Sequence, residues 1–185
     1  MLKETIKNIK TDFFALRNGA IADRLRSAGS PYKIIFGLMV PQIEQVAARQ
    51  EPSVELAETL WSNDSTRESR LMATMVCPRE EFSREMAAKW VAGVDTEELA
   101  DMLCFRLLRY MDGAEQWAGE LYAGESRMNR YVALRLLMNL AVIGKLTDLD
   151  LAGRLAKEED EADSRAMKLL RRQLADEVDW MKEEA

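Results

Sequence analysis

Leu56-Ala57-Glu58-Thr59-Leu60-Trp61 is followed, nine residues after the tryptophan, by Arg70 and the apolar run Leu71-Met72-Ala73-Thr74-Met75-Val76. From Trp117 the phrase returns as Trp117-Ala118-Gly119-Glu120-Leu121-Tyr122, then Arg130 and Tyr131-Val132-Ala133-Leu134-Arg135-Leu136-Leu137. From Leu151 it returns again as Leu151-Ala152-Gly153-Arg154-Leu155-Ala156, then Arg165 and Ala166-Met167-Lys168-Leu169-Leu170. Each copy reads as short helix, polar turn, Arg, longer helix. A helical hairpin of this size cannot bury its apolar face alone, so a chain that repeats it stacks the copies. The expected class is all-α, one domain over residues 1–185.

The composition fits that reading. Nine Gly and four Pro in 185 residues leave few helix breakers, and 48% hydrophobic with 31% charged residues is ordinary for a globule. No apolar run approaches the roughly 20 residues that a bilayer span needs, and the opening Met1-Leu2-Lys3-Glu4 lacks the apolar core of a signal peptide; the expected location is cytoplasmic, with no membrane partner. Cys77 and Cys104 form no CxxC pair and are expected as reduced core residues. There is no histidine, which removes Ser-His-Asp and Cys-His nucleophiles and histidine zinc sites together. Any chemistry falls to carboxylates, Arg, Lys, Tyr or Trp, and no metal or organic cofactor is implied.

The net charge of −6 hides an asymmetry: residues 1–50 carry eight Lys/Arg against four Asp/Glu, and residues 158–185 carry five against ten. A polyanion can meet the basic part, and solvated helix faces account for both blocks equally well. Along the chain, apolar spacing predicts a first helical segment from about Leu2 to Arg26, interrupted at Asn18-Gly19. Phe36-Gly37-Leu38-Met39-Val40-Pro41 reads as a turn running into a new helix, with Pro41 in its first turn and Ser53 capping the next. Further helices are expected over 65–76, 79–91, 96–111, 113–122, 126–143, 149–156 and 162–180.

With the repeat phrase, the Gly37-Leu38-x-x-Pro41 turn and Leu60-Trp61 followed by Glu68 in view, the sequence resembles the DNA alkylation repair family of HEAT-like-repeat glycosylases, the AlkD-like proteins, from about Tyr32 onward. The resemblance implies a right-handed superhelix of HEAT-like hairpins whose concave face meets duplex DNA. It also implies hydrolysis of the N-glycosidic bond of cationic N3- or N7-alkylpurines. A cationic base is already a good leaving group, so the remaining need is an anion beside the oxocarbenium-like sugar. The family's aspartate falls on Asp101 and its backbone-gripping Arg on Arg130. The tryptophan expected four residues before the aspartate is Glu97 here, and the second one falls in Met167-Lys168-Leu169-Leu170.

The candidate catalytic residue is therefore Asp101, whose alternative is a salt bridge to Arg106 or to an Arg of the adjoining repeat. The candidate DNA contacts are Arg130 with Arg70 and Arg165, which head successive repeats, Arg106, Arg109, Arg127 and Arg135, which can extend a basic inner face, and Lys33 and Tyr32. Repeated arginines in such stacks also pair with carboxylates of the next unit, and Tyr32 can equally pack its turn. Two other functions stay open: a DNA-binding homologue that does not excise, and a scaffold that takes a protein partner in its groove. A monomer is the default expectation.

Overall fold

The structure, a computed structural model, describes residues 1–158 and 160–184. Those residues form eleven α-helices and two short 3-10 turns, and among them the only extended pairing is an isolated bridge between Ile34 and Thr66. The all-α class and the hairpin packing are those read from the repeat. No helix is long and apolar enough to cross a membrane. The chain forms two compact units, residues 1–86 and 87–185.

Unit 1 contains α1 (Leu2–Ala15), α2 (Gly19–Ser27), α3 (Val40–Ala47), α4 (Val54–Trp61) and α5 (Arg67–Val76). Helices α4 and α5 pack as a hairpin, α3 lies on α5 and α1 on α3. The interruption expected at Asn18 is a full break, because the Asn18 side chain accepts from the Ile21 N–H and caps α2. Its own backbone N–H donates to the Phe36 carbonyl at 2.8 Å. Ser53 caps α4 as expected, accepting from Leu56 N–H, and Pro41 lies in the first turn of α3.

The Phe36-Gly37-Leu38 turn is held from inside. Glu68 is completely buried, and its carboxylate accepts from the backbone N–H groups of Phe36, Gly37 and Leu38 at 3.1, 2.9 and 3.3 Å. Arg67 neutralises it, donating to both Glu68 and the Leu38 carbonyl at 2.9 Å. A buried carboxylate without such partners is prohibitively costly, so the turn and the start of α5 are one structure. Gly37 has φ +79°, and a Cβ there would lie 2.1 Å from the Asn18 carbonyl oxygen. No other residue fits.

Unit 2 begins inside α6 (Arg84–Ala92) and continues with α7 (Glu97–Arg106), a 3-10 turn at Leu108–Tyr110, α8 (Ala114–Ala123), α9 (Arg127–Val142), α10 (Leu149–Lys157) and α11 (Arg165–Glu183). The helix expected over 96–111 stops at Arg106, where Leu107 leaves helical geometry, and the one expected from Arg79 opens as a 3-10 turn with α6 starting after Ser83. Helix α9 is buried on nearly every side, through Tyr131, Val132, Ala133, Leu134, Leu136, Leu137 and Leu140. A helix with apolar residues on most of its sides belongs at the centre of its unit. Helices α7, α8, α10 and α11 all pack against it.

The structure also gives the repeated Arg a local reason. The Arg70 guanidinium lies 4.2 Å over the ring of Trp61, the residue that ends α4, and Arg130 lies 5.9 Å over Tyr122 near the end of α8. Each pair is a cation on an aromatic face within one hairpin. In the third copy Ala156 replaces the ring, and Arg165 is exposed. Trp61, Trp90 and Trp117 are core, as are the free thiols of Cys77 and Cys104, whereas Trp180 is 57% exposed.

Candidate functional site

Helix α7 starts at Thr96, whose hydroxyl accepts from the Leu99 N–H. Leu99, Ala100, Leu103 and Cys104 face inward, which leaves Asp101 at the edge of the buried face, beside α9. On α9, Tyr131 and Arg135 are four residues apart and share a helix face. The Tyr131 hydroxyl donates to Asp101 Oδ1 at 2.9 Å, Arg135 Nε lies 2.7 Å from the same oxygen, and Arg135 donates to the Tyr131 hydroxyl at 3.2 Å. Both contacts fall on Oδ1. The Asp101 side chain keeps 42% of its surface exposed, and its second oxygen accepts no hydrogen bond among the described residues.

Burial pushes the Asp101 carboxyl above the usual carboxylate value, with Glu97 adding to the effect, while Arg135 and the Tyr131 hydroxyl pull it back. Burial also pushes the Tyr131 phenol up. Burial acts against the charge on Arg135, yet its bonds to Tyr131 and Asp101 hold it above the ordinary arginine value. The two partners of the ion pair thus move in the same direction: the arginine is secured as a cation, and the carboxylate pays part of the desolvation.

Beside this triad is a cavity of about 90 Å³, lined by Glu97, Arg127, Tyr131, Ser164 and Met167 among others. It has room for about three waters. The Ser164 hydroxyl donates to the Glu97 carboxylate across it, joining the start of α7 to the cap of α11. The turn before α11 is pinned in turn by buried Arg171, which donates to Asp163 at 2.7 Å, to the Leu155 carbonyl at 2.6 Å and to the Tyr122 hydroxyl at 3.0 Å. The two positions where the resemblance expects tryptophan, Glu97 and the start of Met167-Leu170, therefore lie on one cavity.

Of the other candidates in unit 2, Arg127 and Arg165 are exposed at the first turns of α9 and α11. Arg130 is half-buried and donates from Nε to the Gly124 carbonyl, and half-buried Arg106 lies over the Phe105 ring. In unit 1, Arg70 is buried on Trp61, Lys33 is exposed, and Tyr32 is buried with Ala22 and Ile35, as a packing residue of its turn. Arg135 is an arginine of the adjoining repeat, the alternative partner expected for Asp101, whereas Tyr131 is not among the candidates. Their spacing of four on a helix was legible, but which helix they would face was not. No group of three or more potential metal ligands occurs among the described residues.

No curated protein and no solved structure matches the chain. A family model described as DNA alkylation repair enzyme matches residues 9–161, a span that includes the Glu68-bound turn, Asp101 and its two partners, and stops before α11. Covering most of the sequence, that match establishes that the chain belongs to the DNA alkylation repair enzyme family.

Proposed function

We propose that the protein binds alkylated duplex DNA and hydrolyses the N-glycosidic bond of cationic N3- or N7-alkylpurines, with Asp101 as the anion beside the developing sugar cation. The observation that carries this reading is the half-exposed carboxylate fixed through one oxygen by Tyr131 and Arg135. A group held in place before the reaction stabilises charge without reorganising as the bond breaks. The open oxygen is the one that would face the sugar, and the small cavity beside Tyr131 gives water a place to wait. Arg127 and Arg165, exposed at the neighbouring helix starts, are suited to phosphate contacts, and Arg130 and Arg106 to supporting ones.

One observation favours a second reading, a homologue that binds lesions without excising them. Glu97 stands in the position of an expected aromatic ring and is engaged by Ser164, and Arg135 already neutralises part of the Asp101 charge. The assay that decides is base release from duplex DNA carrying N7-methylguanine. Release is expected, with a loss on the order of 100-fold in Asp101→Asn. Undiminished release by that variant removes Asp101 from the mechanism, and no release by the unaltered protein with retained DNA binding establishes the second reading.

A further inference from the structure

Unit 1 carries a surface that the Asp101 site does not use. Lys3, Lys7, Lys10, Phe14 and Arg17 recur at spacings of four and three, which places them along one side of α1 and its end. All five are exposed, and the stripe runs about 16 Å from Lys3 to Phe14. It opens into a cavity of about 670 Å³ between the end of α1, α2 and residues 33–36, rimmed by Arg17, Arg26 and Lys33 and containing no acidic lining residue. Of the nearby carboxylates, Asp12 pairs with Arg49, Asp23 pairs with Arg26 at the rim, and Glu4 is exposed on α1. Lys3, Lys7, Lys10 and Lys33 make no ion pair among the described residues.

The apolar part of the same surface is equally specific. Phe14 is 58% exposed and Ile34 46%, both at the cavity. Arg17 lies 3.8 Å over the Phe14 ring and is tied there by donating to the Phe14 carbonyl at 2.7 Å, so ring and guanidinium form a flat, positively charged layer. The small residues Ala15, Gly19 and Ala22 leave the space in front of it open, and a Cβ at Gly19 would meet nothing. Cations in a row suit a phosphate backbone, and a flat cationic layer over a cavity of this volume suits one unstacked base. A duplex hides its base faces. A single strand offers them.

We propose that this face of unit 1 is a second nucleic-acid site, taking single-stranded DNA with its phosphates along Lys3, Lys7 and Lys10 and a base stacked at Phe14 and Arg17. The family assignment selects DNA among polyanions, and the proposal does not rest on Asp101. The test is fluorescence anisotropy of the full chain with a labelled oligothymidylate of about twelve nucleotides, against a duplex of the same length and against phosphatidylglycerol vesicles. Oligothymidylate is expected to bind in a way that depends on Phe14, whereas binding of the duplex, which the Asp101 site is proposed to take, is expected not to. Phe14→Ala should weaken oligothymidylate binding about 10-fold and Phe14→Tyr should restore it. Lys3→Gln, Lys7→Gln and Lys10→Gln together should flatten the log-affinity against log-salt slope by about 2. Phe14 is exposed, so circular dichroism of its variants should match the parent, and Asp101→Asn should bind oligothymidylate unchanged whatever becomes of base release. An equal loss of duplex binding in Phe14→Ala, indifference of oligothymidylate to Phe14→Ala, or preference for the vesicles would overturn the proposal.

Discussion

At the scale of single residues, Asp101 is a compromise between charge and burial. The carboxyl is raised chiefly by burial, and Arg135 and Tyr131 limit the rise. A carboxyl that holds its proton more tightly in the native state contributes stability below its unfolded pKa, and that contribution is lost as pH rises through the native pKa. The excision proposed for Asp101 would need the opposite form. Single-turnover base release should therefore fall on acidification with a midpoint above the ordinary value of 3.8, and Arg135→Gln should move that midpoint further up, since the lost cation was favouring ionisation. Tyr131→Phe should move it the same way by removing a donated hydrogen bond. An acid limb unmoved by either substitution would show that Asp101 does not set it.

At the scale of elements, the bolt between the Phe36-Gly37-Leu38 turn and α5 makes two predictions. Glu68→Ala strands Arg67 and three backbone donors in the interior and should cost about 3–5 kcal/mol in urea unfolding. Gly37→Ala drives a Cβ into the Asn18 carbonyl at a positive φ, whereas Gly29→Ala, also at positive φ (+88°), meets open space. The first should therefore lower Tm far more than the second, which should cost about 1 kcal/mol. Comparable losses would mean that the contact with Asn18 is unimportant. Here the sequence was readable in part: Pro41, the Ser53 cap and the repeat phrase are local signals, and local signals predicted the hairpins. Glu68 stood out only as part of a resemblance, because nothing near it announces a partner some thirty residues earlier. The same limit hid Tyr131 and left open which Arg of the adjoining repeat meets Asp101, since pairing Asp101 with Tyr131 and Arg135 requires knowing that α7 packs on α9. It also hid Arg171, while Arg165, the arginine that the repeat register picked, is exposed because its copy lacks the aromatic ring that Trp61 and Tyr122 provide.

At the scale of the whole chain, each compact unit carries one cysteine, Cys77 in unit 1 and Cys104 in unit 2. Burial, with Glu58 and Glu81 behind it, pushes the Cys77 thiol up to about 12, and complete burial raises that of Cys104 as well. The thiolate is the reactive form, so at pH 8 burial keeps Cys77 as the unreactive thiol while the unit is folded. Iodoacetamide should thus leave both sulfurs unlabelled in the native protein and modify them as denaturant exposes them. Because the partners of Glu68 among the described residues, Phe36, Gly37, Leu38 and Arg67, all belong to unit 1, Glu68→Ala should bring Cys77 labelling to lower urea while Cys104 labelling follows with a smaller shift, read by mass spectrometry of the separate peptides. If both cysteines shift by the same amount, the two units unfold as one cooperative structure, and a defect at the Phe36-Leu38 turn then reaches Asp101 through global stability.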